Sequence, residues 1–266
     1  MAVIHMFRGV WSYRGFVAGS VAREFQAKYR SSILGAAWTV IQPLGMIIIY
    51  TLIFSEIMKA KLPGVEGSFS YSIYICAGLL TWGLFAEIIS RSQNIFIENA
   101  NIIKKINFPR FCLPLIVVSS AVVNFGIVFA LFTAFTILSG TFPGVAYLGL
   151  LPVLAVLIAF AIGLGLTLGV LNVFFRDVGQ FVGLVLPFWF WLTPIVYPPT
   201  ILPAGITGLV AHNPMTTLVG ACQVIMVTGT WPDWSALLGL AVLSAGLCLA
   251  ALALFRRFAG EMVDEL

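Results

Sequence analysis

Six long apolar runs, joined by short polar stretches, leave this chain few folds. They are Ala36 to Phe54, Tyr71 to Ile89, Phe111 to Leu138, Tyr147 to Phe175, Phe181 to Tyr197 and Ala236 to Phe255. Each is close to the roughly 20 apolar residues that a helix needs to cross a bilayer. The third and fourth are long enough to tilt or to extend beyond it. Only 9% of the residues are charged and 61% are hydrophobic, whereas a soluble domain carries about a quarter charged. The expected fold is an all-α integral membrane protein with six transmembrane helices. Pro43 lies inside the first run, which a bundle tolerates when neighbours satisfy the freed carbonyl.

Charge fixes the orientation. With six spans and an inside N-terminus, the cytoplasmic side holds Arg8, Arg14, Arg23, Lys28, Arg30, Arg91, Lys104, Lys105, Arg110, Arg176, Arg256 and Arg257, which is 12 of the 14 basic residues. Only Lys59 and Lys61 fall outside, as the positive-inside rule requires. A seventh crossing through 214–229 would expel Arg256 and Arg257. The basic balance follows topology, so nucleic acid is not an expected partner. No cleaved signal is expected, because Arg, Trp and Tyr interrupt any early apolar region.

Three stretches stand apart from the spans. Residues 8 to 30 repeat apolar side chains at Val10, Tyr13, Val17, Val21, Phe25 and Tyr29, with Arg14, Arg23, Glu24, Lys28 and Arg30 between them. This spacing predicts an amphipathic helix in the membrane interface, basic side toward anionic headgroups. Arg91 to Arg110 is the only long polar interruption between spans, and Ile97 to Ile106 within it is expected to form a short helix. Ile102, Ile103 and Ile106 would share one face, with Glu98, Asn101 and Lys105 turned away. Such an apolar knob either meets a partner or rests on headgroups. Pro198 to Trp234 is apolar but broken by five prolines. Its best helix begins with Asn213 as N-cap and Pro214 at the first position, and runs to about Thr228. That is too short to cross, so a re-entrant helix pair is expected between spans five and six.

The spans are nearly empty of ionisable groups. Glu56 and Glu87 sit at span ends, and spans three to six carry none in their interiors. Buried carboxylates mark proton- and ion-coupled pathways, so energy is expected from outside the chain. No phosphate-binding loop of the G-x-x-x-x-G-K-[ST] type occurs. His5 is terminal, and His212 stands about 20 residues from its nearest acid, Asp233, which makes no catalytic site. The four cysteines are scattered without metal or disulfide spacing. No cofactor or metal is expected in this chain.

Aromatic residues are more informative. Phe188, Trp189, Phe190 and Trp191 follow one another in the fifth run, with Tyr197 at its end. With Tyr50 and Phe54 of the first run they form a candidate uncharged conduit, because aromatic faces stack on sugar rings without charge. Plain packing is the competing reading. Gly163, Gly165 and Gly169 permit close helix approach.

Three ordered blocks resemble one family. They are YRSSILGAAWTVIQPLGMIIIYTLIFS (Tyr29 to Ser55), ENANIIKKINFPR (Glu98 to Arg110) and LNVFFRDVGQFVGLVLPFWFWLTPIVYP (Leu171 to Pro198). Together they resemble the permeases of ABC-2 type transporters, in the branch that exports lipid-linked polysaccharides such as O-antigen, capsule and teichoic acid. The resemblance implies residues 1–35 as a cytoplasmic interface region and 36–256 as a six-span permease domain. Within that domain 91–110 would be the coupling loop and 198–234 a periplasmic gate region, with 257–266 a cytoplasmic tail. It implies that Glu98, Asn99, Ala100, Asn101, Ile102 and Ile103 dock into a separate ATPase. It also implies that two short helices from about Ala204 to Thr228, around His212, Asn213 and Pro214, gate the outer side. Two permease copies and two ATPase subunits, the latter holding ATP and magnesium, would form the complex in the bacterial inner membrane, with both termini cytoplasmic. An exporter of drugs or lipids is a neighbouring reading; a secondary transporter or a lipid-processing enzyme is a more distant one.

Overall fold

The structure, a computed structural model, describes residues 13–29, 37–53, 62, 69–105 and 112–266. Among the described residues it is helical with no strand. In chain order the helices are α1 (Arg14–Tyr29), α2 (Trp38–Thr51), α3 (Ser70–Ser92), α4 (Ile95–Glu98), α5 (Ala100–Lys105) and α6 (Cys112–Leu138). They continue with α7 (Leu150–Phe174), α8 (Asp177–Trp191), α9 (Ala204–Ala211), α10 (Pro214–Thr228), α11 (Trp234–Phe258) and α12 (Glu261–Glu265).

Among the described residues, four helices are long and apolar enough to cross a membrane: Ser70–Ser92, Cys112–Leu138, Gly144–Phe174 and Trp234–Phe258. Six were expected. The other two apolar runs form shorter helices, α2 with 14 residues and α8 with 15. The cause at α8 is local. Pro194 disfavours helical geometry at Thr193, and the backbone leaves the helix after Trp191 to run irregularly to Pro198.

The bundle is organised around α3. The most apolar stretch of α3 is 72% buried, against 17% for that of α11. α3 packs on α6, α7 and α10, while α11 packs chiefly on α7. Phe85, Ile88 and Ile89 of α3 meet Leu157 and Phe160 of α7 and Leu218 and Cys222 of α10 in one core. Lipid is as apolar as these side chains, so close packing rather than escape from water holds such helices together. Glycine supplies that closeness. A side chain at Gly169 would come within 2.5 Å of the Ser92 carbonyl oxygen, and one at Gly163 within 2.9 Å of the backbone at Leu247 and Cys248. The small residues expected to allow close approach thus seat α7 against α3 on one side and α11 on another.

The segment from Pro199 to Thr228 folds as a 3-10 turn followed by α9 and α10. Asn213 caps α10, its side-chain oxygen accepting from the Met215 N–H at 3.0 Å. Gly229, with φ of 64°, ends the helix in the left-handed conformation that glycine adopts without strain.

Candidate functional site

The polar loop after α3 differs from the single helix expected over Ile97 to Ile106. It forms two short helices, α4 and α5, with a break at Asn99. There φ is −105° and ψ is 16°, and the Asn99 amide donates to the Ile95 carbonyl at 2.8 Å. That local bond competes with helix continuation, as asparagine side chains commonly do. The direction of the apolar face is also corrected. Ile103 is 7% exposed and packs inward with Ile95, Phe96, Val173, Phe255 and Met262. Ile97 is exposed in its place, with Glu98, Asn101 and Lys104; Asn99 and Ala100 are half-buried. The side chains of Ile102, Lys28 and Tyr29, and residues Val10, Arg30, Phe54 and Ile106, lie outside the described residues.

Behind this loop a buried carboxamide ties three helix ends together. Asn172 donates to the Gln93 carbonyl at 2.9 Å and to Asn94 Oδ1 at 3.1 Å, and accepts from the Gly179 N–H at 2.9 Å. The ends of α3 and α7 and the start of α8 are thereby fixed to one another.

The helix α1, expected to lie in the membrane interface, begins at Arg14 among the described residues and docks on α6 with Val17 buried. Glu24 pairs with Arg91 of α3 and accepts from the Ser120 hydroxyl of α6. Arg91 also faces Glu87 one turn back at 3.6 Å, and Glu87 accepts from Asn124 at 3.0 Å. Arg23 lies outside this group, bonded to Ser20 at 2.8 Å and 6.0 Å over the Phe16 ring. Separations of 67 and 96 residues kept the Glu24 contacts out of reach of sequence pattern.

The four consecutive aromatics divide. Trp189 and Phe190 turn inward, Trp189 standing edge to face against Phe85 at 5.2 Å and Phe190 against Trp82 at 5.8 Å. Phe188 and Trp191 are each 63% exposed. With Phe181 and Leu184 they repeat at three- and four-residue intervals, which places them on one helix face. The indole N–H of Trp189 donates to Asn213 Oδ1 at 2.8 Å, which explains how a tryptophan is accommodated deep in an apolar run. Tyr50, half-buried, lines a groove of about 360 Å³ between α2, α3 and α6, together with Trp38, Gln42, Cys76 and Asn124.

Sequence reasoning missed a second polar arrangement. Between Leu192 and Pro198 the chain has no helical partners for its carbonyls, and such backbone needs donors when water is absent. The Tyr74 hydroxyl lies 3.0 Å from both the Pro194 and Tyr197 carbonyls, and Tyr71 donates to Val196 at 3.0 Å. Gln223 of α10 reaches the Tyr74, Pro194 and Ile195 carbonyls, each at 3.3 Å. Gly78 leaves the room, since a side chain there would meet Gln223 Nε2 at 2.7 Å. The available signal was the lone glutamine in the apolar α10, downstream of a proline-rich break. Tyr197 adds one more bond, its hydroxyl donating to the Trp191 carbonyl at 2.7 Å.

Neither His212 nor Asp233 joins a cluster. His212 is exposed, with Nδ1 2.7 Å from the Gly208 carbonyl. Asp233 caps α11, and hydrogen bonds from Ser235 and from the Ala236 N–H hold its carboxyl below the ordinary value. Among the described residues no group of three or more metal-binding side chains is assembled.

The sequence matches the ABC-2 type transporter family over residues 17–227. It is 30% identical over 267 residues to the O-antigen export system permease protein RfbA of Myxococcus xanthus, covering 99% of this chain and 100% of that protein. A protein of the same name from Klebsiella pneumoniae is 30% identical over 209 residues, 78% of each chain. With the family match covering most of its length and a similarity that runs from end to end, the chain belongs to the ABC-2 type transporter family.

Proposed function

We propose that this chain is the membrane permease of an ATP-driven exporter that carries a lipid-linked, O-antigen-like polysaccharide across the bacterial inner membrane. The observation that carries the reading is the end-to-end similarity to an O-antigen export permease. Chemistry supports it. No Asp, Glu, Lys or Arg occurs within α2, α6 or α7, and Glu87 of α3 is already engaged by Asn124 and Arg91. Among the described residues no free buried carboxylate stands ready to couple an ion gradient, which supports energy supplied by a partner, and no phosphate loop occurs in the sequence.

In this reading α2 and α8 complete six crossings, and α9 and α10 form the re-entrant pair. The exposed residues Ile97, Glu98, Asn101 and Lys104 meet the ATPase, which holds the nucleotide and magnesium. Two permease copies enclose an uncharged path, to which the Phe188 and Trp191 face of α8 contributes. Both chain ends lie in the cytoplasm.

The test is expression beside a cognate ATPase in a strain lacking its own permease. Wild type should co-purify with the ATPase and restore surface polysaccharide. An Ile97→Asp, Glu98→Lys pair should lose the ATPase while remaining folded, because a charge forced into an apolar contact is costly. Failure of wild type to bind any ATPase, or surface polysaccharide that is independent of the permease, would overturn the proposal.

A further inference from the structure

Ile103 faces inward, and the buried cluster it joins includes the far end of the chain. After α11 the backbone bends at Gly260, and α12 folds back against α5 and α7. Met262 is 2% exposed and belongs to the same cluster as Ile103, Phe96 and Val173. Val263 and Leu266 pack against that cluster from the edge. Two ring pairs fasten the surroundings. Phe96 and Phe255 stack at 5.5 Å, and Phe174 and Phe258 meet edge to face at 5.5 Å. Glu261, Asp264 and Glu265 remain exposed. Residues 257–266, expected as a cytoplasmic tail, thus pack back on the bundle, since a freely solvated segment would not bury a methionine to this extent.

The neighbouring helices need such support. α4 has four residues and α5 has six, far below the roughly 12–15 at which an isolated helix becomes even marginally stable in water. Their geometry must come from packing. The ends of α3 and α7 supply one side of it, and α12 supplies another.

We propose that α12 is a brace, with Met262 as the positioning residue that holds α5 at a fixed height and tilt. This rests on the reading of the loop after α3 as the ATPase contact. Without the brace, motion delivered by the ATPase would be absorbed in local unfolding of α5 instead of reaching α3.

Hydrogen exchange on the full-length permease in nanodiscs tests the brace without any partner. Met262→Ala should speed exchange at amides 100–105 by about tenfold or more while leaving the α7 amides unchanged. Met262→Leu should restore the wild-type rate. Val263→Ala, at the cluster's edge, should give a smaller change in the same direction, and it serves if Met262→Ala does not fold. In the complex, Met262→Ala should lower permease-stimulated ATP turnover, leave the KM for ATP unchanged and still co-purify. Unchanged exchange at 100–105 in the alanine variants overturns the brace whatever the ATPase does. Faster exchange with full stimulation overturns its role in coupling. Faster exchange, with a wild-type permease that binds no ATPase, keeps the brace and removes the exporter reading.

Discussion

Replacing Gly169 with alanine probes how tightly α3 is seated. The added Cβ would stand 2.5 Å from the Ser92 carbonyl oxygen, and ordinary contact begins at 3.4 Å, so α3 and α7 must part there by the difference, about 0.9 Å. Little can yield. The obstacle is backbone, Ser92 is 3% exposed, and the next carbonyl, that of Gln93, is held by Asn172 at 2.9 Å. Overpacking typically costs about 1–3 kcal/mol, and a backbone obstacle belongs in the upper part of that range. Alanine's better helix propensity returns up to about 1 kcal/mol. The expected net loss is about 1–2 kcal/mol. Gly239→Ala in α11 is the control, because a Cβ there meets nothing within 4 Å; it should be neutral or slightly stabilising. Titration of mixed micelles with sodium dodecyl sulfate, followed by circular dichroism, measures both. A Gly169→Ala protein that unfolds at or above the wild-type midpoint would refute the argument that glycine sets the α3–α7 distance.

Two further outcomes follow from the polar contacts around the break after α8. Tyr74→Phe removes the hydroxyl from the Pro194 and Tyr197 carbonyls; Gln223 still reaches the first, so the cost is that of about one unsatisfied carbonyl, roughly 1–3 kcal/mol in the same titration. Wild-type stability in that variant would remove the hydroxyl from the account. Asn213→Ala strips the cap from α10 and the acceptor from the Trp189 indole, which should cost about 1–3 kcal/mol and shift tryptophan fluorescence. Asn213→Asp keeps both acceptors and should lose less; equal losses in the two variants would contradict the assignment.

Features whose causes lie within a few residues were legible in the sequence. Asn213, Pro214 and the end of α10 near Thr228 could be placed because capping and proline geometry act locally. The spacing of Gly165 and Gly169 marked a close approach for a similar reason. What the sequence could not show was direction. α6 and α7 are apolar on every side, so periodicity carries no information about which neighbour each face meets. Ile103 illustrates the same limit: an isoleucine in a short helix of a polar loop reads as an exposed knob unless the return of α12 is known. The run from Phe188 to Trp191 had the right composition for a lined path, yet helix geometry sends half of it into the core. The Glu24–Arg91 pair and the donors from Tyr71, Tyr74 and Gln223 join distant parts of the chain, beyond what spacing along one sequence encodes.

The bonds that hold the irregular segment after α8 are made by phenols and an amide, and this has an electrical consequence. From Val178 to Pro232 the chain contains no Asp, Glu, Lys or Arg. Moving one elementary charge through a membrane potential of 100 mV takes about 2.3 kcal/mol. A displacement of this stretch, with His212 neutral, moves no formal charge and does no work against the field. Any rearrangement of this stretch would therefore carry no formal gating charge, in an energised cell, in a depolarised one or in a vesicle held at zero potential.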